Sequence, residues 1–66
     1  MRVHINGEDK QFDEGSSVAD VVASLGLAGR RVAVEYNREV LRAGDWAATP
    51  LRENDALEIV HFVGGG

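Results

Sequence analysis

Hydrophobic and polar residues alternate at the start of the chain, and this pattern predicts a β-hairpin. Every second residue from Met1 to Ile5 is apolar, a period of two that is typical of a half-buried strand. Asn6-Gly7 follows, and this pair favours a type I′ turn because both central residues of that turn need positive φ. A second strand is therefore expected over residues 8–12.

The period then changes to that of a helix. Four apolar residues are spaced as i, i+3, i+4 and i+7, which places them on one helical face: Val18, Val21, Val22 and Leu25. Ser17 is expected to cap the first turn together with Asp20, in a capping box. Gly26 is expected to end the helix in a left-handed conformation.

Alternation returns after residue 31 and predicts three more strands. We expect them over residues 32–36, 39–41 and 56–63, with a turn at Asn37-Arg38 between the first two. The three glycines follow the last strand without any further stop signal.

The stretch from residue 42 to residue 50 shows neither period and is predicted to be irregular. Asp45 could cap a single helical turn there, which would carry Trp46. The indole of Trp46 is expected to fill the core rather than contact a ligand. Residues 52–55 are predicted to form a turn.

The order of these elements predicts the fold class. One helix is available to cover one face of a sheet, which indicates a two-layer α+β domain. A hairpin, a crossover helix and a returning C-terminal strand are what a β-grasp fold needs. Its mixed sheet would have the last strand parallel to the first, in the middle. We expect residues 1–63 to form this β-grasp domain and residues 64–66 a flexible C-terminal glycine tail.

Composition narrows the classes of function. The chain has 66 residues and is 44% hydrophobic, enough for one small core and little room for an internal active site. It has no cysteine, which excludes a disulfide framework and a thiolate metal site on this chain. The net charge of −4 works against a nucleic-acid partner. We find no apolar run long enough for a signal peptide or a membrane span, so we expect no membrane partner and a cytoplasmic location.

The last strand carries apolar residues on both faces. Leu57 and Ile59 are expected to point toward the helix and serve the core. Val60 and Phe62 would then lie on the opposite face, where two apolar side chains just before the glycines suggest a surface that docks on a partner. Alternatively, a loop covers them, or they are isolated exposed apolar residues.

The glycines Gly64, Gly65 and Gly66 form the second candidate feature. They make a tail thin enough to thread a narrow channel, and the Gly66 carboxyl has no side chain to hinder attack on it. A carboxylate is inert until its oxygen becomes a leaving group, so adenylation by ATP is the natural first step. No phosphate-binding loop is visible in the sequence, so the activating chemistry would lie on another protein. A floppy tail or a cloning remnant is the alternative.

Catalytic residues are not apparent in the sequence. His4 should face outward on the first strand, and His61 lies near the end of the last one. We find no Asp or Cys at a spacing that predicts a catalytic triad or a metal site. We therefore expect no catalytic residue, no metal site and no bound cofactor on this chain, which would not be an enzyme.

The C-terminal stretch, residues 58–66 (EIVHFVGGG), together with residues 34–37 and Asn6-Gly7, resembles the thiamine-biosynthesis sulfur-carrier family over essentially the whole chain. The resemblance implies a ubiquitin-like β-grasp protein with a C-terminal diglycine. It also implies an E1-like adenylating enzyme that uses ATP and magnesium to form an acyl-adenylate on Gly66. A sulfur donor system would then supply sulfur derived from cysteine, to give a thiocarboxylate. Thiazole synthase would accept that sulfur.

Other functions remain open. A sulfur carrier for molybdopterin synthase shares the fold and the tail, although those chains tend to be longer. A ubiquitin-like protein modifier is a second alternative, but the single lysine, Lys10, makes elaborate lysine-linked chains a poor expectation. A plain interaction module with an idle tail is the third.

Overall fold

Two hairpins and a returning C-terminal strand build a five-stranded mixed sheet. The computed structural model describes residues 1–63. The strands are β1 (Arg2–Ile5), β2 (Glu8–Gln11), β3 (Val32–Tyr36), β4 (Glu39–Leu41) and β5 (Ala56–His61). Their order in the sheet is β2-β1-β5-β3-β4, with β5 parallel to β1 and antiparallel to β3. The predicted α+β β-grasp topology, with the last strand in the middle, is confirmed.

Both hairpin turns place two consecutive residues at positive φ, as type I′ turns require. The values are 52° and 82° at Asn6 and Gly7, and 48° and 73° at Asn37 and Arg38. Arg38 carries a Cβ, for which this region is uncommon. Asn37 helps to hold that turn, because its N–H donates to the Ala56 carbonyl at 2.8 Å and its Oδ1 accepts from the Ala56 N–H at 2.9 Å.

The helix α1 spans Val18–Ser24 and begins with the predicted capping box. The Asp20 N–H donates to the Ser17 hydroxyl oxygen at 3.3 Å, and the Ser17 N–H donates to the Asp20 carboxylate at 2.8 Å. Gly26 follows at φ 75°, so the predicted left-handed stop is confirmed. Leu25 was expected on the buried face, but it is 36% exposed. The helix has already ended there, since Leu25 is its C-cap.

One hydrophobic core lies between α1 and the sheet. Nine buried residues form it: Val3, Ile5, Val18, Val21, Val22, Val34, Leu51, Leu57 and Ile59. Leu51 comes from the loop before β5 and was assigned to no element by the sequence pattern. None of the helices described within residues 1–63 has the length and apolar content needed to cross a membrane.

The segment between β4 and β5 differs in part from the prediction. A 3₁₀ turn forms over Ala43–Asp45, and the residue at its N-cap is Arg42. Asp45 therefore lies inside the turn rather than capping it, and that prediction is wrong. Trp46 is half-buried and packs against the core, and its indole N–H donates to the Leu41 carbonyl at 2.9 Å. The core role predicted for this indole is confirmed.

Strand β5 is shorter than predicted, since it ends at His61 instead of residue 63. Its antiparallel partner β3 begins at Val32, which lies opposite His61. Beyond His61, β5 therefore has no partner strand on this side. One more bond follows the strand, from the Phe62 N–H to the Arg31 carbonyl at 2.9 Å. Within residues 1–63 this is the last bond between the two segments.

Candidate functional site

The face of the sheet opposite α1 carries a set of exposed apolar side chains. Val60 and Phe62 are each 54% exposed, as the alternation in β5 predicted, while Leu57 and Ile59 are 1% and 7% exposed on the other face. Val40 is 76% exposed and belongs to the same outer face. We refer to Val40, Val60 and Phe62 as the outer patch.

Register explains why Val40 joins this patch. Val40 lies opposite Glu35 of β3, which in turn lies opposite Glu58 of β5. Residues opposite each other in a sheet point to the same face, so a single row runs across three strands. The alternation of β4 contained this signal, because Leu41 packs against the core and its neighbour must face outward. The sequence analysis did not single out Val40.

An asparagine side chain fixes the middle of β5. The Asn6 Nδ2 donates to the Ile59 carbonyl at 3.1 Å, and the Ile59 N–H donates to Asn6 Oδ1 at 2.7 Å. Strand β1 ends at Ile5, so the Asn6 amide continues the parallel ladder for one more residue. The sequence analysis assigned Asn6 to the turn alone. Its side chain also holds the strand that leads into the outer patch.

A buried carboxylate fixes the start of β5. Asp55 is 8% exposed; it accepts from the Tyr36 hydroxyl at 2.6 Å, from the Arg52 N–H at 2.8 Å and from Asn37 Nδ2 at 3.3 Å. Burial opposes ionisation of this carboxyl, but the hydrogen bonds, led by that from Tyr36, outweigh it and lower the pKa of Asp55. Burial, followed by the bond to Asp55, raises the pKa of the Tyr36 hydroxyl.

This cluster is a structural support. Asp55 bonds the turn of residues 52–55 to the end of β3. Within residues 1–63, every buried side-chain nitrogen or oxygen of the partly or fully buried residues has a hydrogen-bond partner. The cluster therefore leaves no unsatisfied buried side-chain atom directed at a ligand.

His4 has an acidic neighbour that sequence spacing did not reveal. Its Nδ1 contacts Asp9 Oδ1, because the β1–β2 hairpin places the two residues directly opposite each other. This contact involves two residues only, and His61 is exposed. In the part of the chain that the structure describes, no group of three or more His, Cys, Asp or Glu could hold a metal ion.

The predicted carrier end lies beyond the described residues. Gly64 and Gly65, expected to thread into a partner, and Gly66, expected to carry sulfur, are outside residues 1–63. The last described residue, Val63, is 77% exposed.

Comparison with known proteins connects this domain to a family. The model of the ThiS family matches residues 3–66, which include the outer patch and all three terminal glycines. The chain belongs to the ThiS family. The resemblance to the thiamine-biosynthesis sulfur carriers is therefore confirmed.

Relatives of the ThiS-family chain fall into two groups by length. The sulfur carrier protein ThiS of Bacillus subtilis is 35% identical over 65 residues, which are 97% of this chain and 98% of that protein. A thiazole synthase of Magnetococcus marinus is 41% identical over 66 residues, which are all of this chain but 20% of that protein. The chain spans 20% of the length of the two thiazole synthases that it matches.

A solved structure agrees with the fold over the full length. The crystal structure of a thiamine biosynthesis protein (ThiS) from Geobacter metallireducens matches this chain with a TM-score of 0.80 and 35% identity, covering 100% of both chains. The ubiquitin-like β-grasp fold of the ThiS-family chain is thus confirmed.

Proposed function

We propose that this chain is a sulfur carrier for formation of the thiazole ring of thiamine. In this proposal the Gly66 carboxylate is adenylated, becomes a thiocarboxylate and donates its sulfur to thiazole synthase. The observation that carries the proposal is the family match over residues 3–66, which includes the glycines as well as the folded domain. The full-length relative named a sulfur carrier protein supports it.

The chemistry requires a free carboxylate at Gly66. A Gly66 oxygen attacks the α-phosphorus of ATP and displaces pyrophosphate, which leaves an acyl-adenylate. Sulfur at the oxidation level of sulfide, supplied by the sulfur donor system, then attacks the acyl carbon, AMP leaves, and the thiocarboxylate forms. A glycine in peptide linkage has no carboxylate oxygen to adenylate, so a residue added after Gly66 removes the reacting group.

The domain's contribution is to bind the activating enzyme while the tail enters its site. Holding three glycines in one conformation costs about 3–6 kcal/mol. Val60 and Phe62 are about half exposed, and complete burial of such a side chain contributes about 1.5–3 kcal/mol. Because each side chain is already about half buried, covering it adds only about half of that contribution. Covering both therefore offsets only part of the cost of ordering the glycines. The docking surface must extend beyond these two residues.

The partners follow from the separation of the carrier from the enzymes that act on it. The chain acts as a carrier and co-substrate, and the E1-like adenylating enzyme holds ATP and magnesium. A separate system supplies sulfur, and thiazole synthase accepts it. Chains named thiazole synthase that contain a segment similar to this one support that acceptor over molybdopterin synthase. We place these reactions in the cytoplasm.

Exchange of labelled pyrophosphate into ATP tests the first step. With the adenylating enzyme of the same organism, ATP and magnesium, the chain should support exchange. A variant lacking Gly66, or one with an alanine added after it, should lose exchange while its circular dichroism spectrum stays unchanged. Equal exchange by the wild-type chain and these variants would contradict the proposed role of the Gly66 carboxylate.

A further inference from the structure

Two glutamates on the outer face repel each other. Glu35 and Glu58 are directly opposite on β3 and β5, and both are exposed. The Asn37 N–H donates to the Ala56 carbonyl, and the Phe62 N–H donates to the Arg31 carbonyl. Opposite residues in an antiparallel ladder alternate between hydrogen-bonded and non-hydrogen-bonded pairs. Counted from either bond, Glu35 and Glu58 form a hydrogen-bonded pair, with Cα atoms about 5.5 Å apart. Like charges opposite each other destabilise a sheet.

Neither carboxylate is neutralised by another part of the domain. Within residues 1–63, none of the close contacts between basic and acidic side chains includes Glu35 or Glu58. Arg42, the residue after β4, is exposed and pairs with neither of them. The domain therefore keeps a local repulsion that a glutamine at either position would remove.

Apolar side chains flank this acidic pair. Val40 lies beside Glu35 on one side, and Val60 lies two residues after Glu58 on β5. A cation bound between the two carboxylates would have apolar surface on either side. When a partner covers these side chains, water is excluded and a charge-assisted hydrogen bond is strengthened.

We propose that Glu35 and Glu58 together bind an arginine side chain of the adenylating enzyme. Apolar side chains of the enzyme next to that arginine would cover the outer patch. A guanidinium has five donors in a planar fork and is more weakly hydrated than an ammonium group, so it suits two adjacent carboxylates better than lysine does. This inference rests on the proposed function, because its partner is the enzyme that activates Gly66. It also supplies the contacts that Val60 and Phe62 alone do not provide.

A second copy of this chain is a poor occupant of the same face. A two-fold interface places the same surface patch of both copies in contact. If the two-fold axis passes through the acidic pair, four carboxylates meet there. The acidic pair therefore favours a different partner, one that brings a cationic side chain to it.

The test compares Glu35→Gln, Glu58→Gln and the double variant with Glu14→Gln. Glu14 is exposed in the loop before α1, so this control has the same charge change away from the outer face. Steady-state pyrophosphate exchange gives the KM for each carrier at several salt concentrations. We expect the double variant to raise KM about tenfold, with a weaker salt dependence, and the control to leave both unchanged. The melting temperatures of the three face variants should equal or exceed that of the wild type, because repulsion is relieved.

Four outcomes would overturn the inference. An unchanged KM in the double variant, with normal exchange by the wild type, overturns it and leaves the proposed function intact. A lower melting temperature that accounts for the raised KM gives the glutamates a structural role instead. Self-association of the wild type that depends on these two residues would assign the face to a second copy. Absence of exchange with the wild-type chain contradicts the proposed function itself, and the inference fails with it.

Discussion

Replacement of Asp55 by asparagine is expected to destabilise the domain, because this carboxylate joins the turn of residues 52–55 to the end of β3. One of its oxygens, Oδ2, accepts from both the Tyr36 hydroxyl and the Arg52 N–H, while Oδ1 accepts from Asn37. An asparagine that keeps its oxygen at the Oδ2 position turns its own NH₂ toward the Asn37 amide. Two donors would then face each other where a bond existed.

The magnitude follows from these bonds. The bond to Asn37 is lost, and the two remaining bonds lose their charged acceptor. Hydrogen bonds to charged groups contribute about 1.5–3 kcal/mol, and neutral ones about 0.5–1.5 kcal/mol. We therefore expect the free energy of unfolding to fall by about 2 kcal/mol at pH 7. For a domain of this size that lowers the melting temperature by about 8–16 °C.

The pH dependence adds an independent check. The folded-state pKa of Asp55 is lowered, so its contribution to stability is present above the unfolded pKa of about 3.9 and is lost as pH falls through the folded pKa. Protonated wild-type Asp55 resembles the variant in charge. The difference in stability between the two proteins should therefore be complete at pH 7 and shrink below about pH 4.

Urea unfolding followed by the fluorescence of Trp46, the single tryptophan, measures this difference at pH 7 and pH 3. Asp13→Asn is the matched control, because Asp13 is exposed and a change there should stay within about 0.5 kcal/mol. Equal midpoints for wild type and Asp55→Asn at pH 7 would refute the supporting role of Asp55. A difference that persists in full at pH 3 would refute its dependence on the carboxylate charge.

Two further changes test how the domain presents its C-terminal strand. Asn6→Gly should keep the turn, because glycine tolerates positive φ, but it should lose both side-chain bonds to Ile59. We expect about 1–3 kcal/mol of lost stability and faster hydrogen exchange at the Ile59 amide. Unchanged hydrogen exchange at that amide would contradict this expectation. Phe62→Asp should raise the KM of the carrier in pyrophosphate exchange. Expressed as free energies, this loss of binding should exceed the loss of stability. An equal KM with a lower melting temperature would show that Phe62 serves the core.

Features that depend on neighbouring residues were predictable from the sequence. The hairpin turns at Asn6-Gly7 and Asn37-Arg38 and the capping box of Ser17 each involve residues within four positions of one another. The bounds of β4 also match the prediction. Such features need only the local preferences of the backbone and of short polar side chains, so alternation and turn signals were sufficient.

Features that depend on register or on distant contacts were not predictable. In the sequence, Asp55 is one polar residue in a predicted turn. Its burial depends on contact with the end of β3, where its partner Tyr36 lies 19 residues earlier in the chain. The contact of His4 with Asp9 needs the hairpin register. Strand β5 ends early because its partner begins at Val32, which the pattern of β5 itself cannot indicate.

The candidate site was predictable in part for the same reason. Alternation in β5 placed Val60 on the outer face, and the structure confirms its exposure together with that of Phe62. Val40 and the acidic pair of Glu35 and Glu58 belong to that face only once three strands are aligned. One strand's pattern shows which side chains point outward, but not which side chains of other strands lie beside them.

The intact mass of the chain tests sulfur carriage most directly. The chain is incubated with its adenylating enzyme, ATP, magnesium and the sulfur donor system, and then with thiazole synthase. We predict a form heavier by the difference between sulfur and oxygen, which returns to the original mass when thiazole synthase and its other substrates are added. A mass that stays at the carboxylate form throughout, with an active enzyme and donor system, would contradict the proposal that Gly66 carries sulfur.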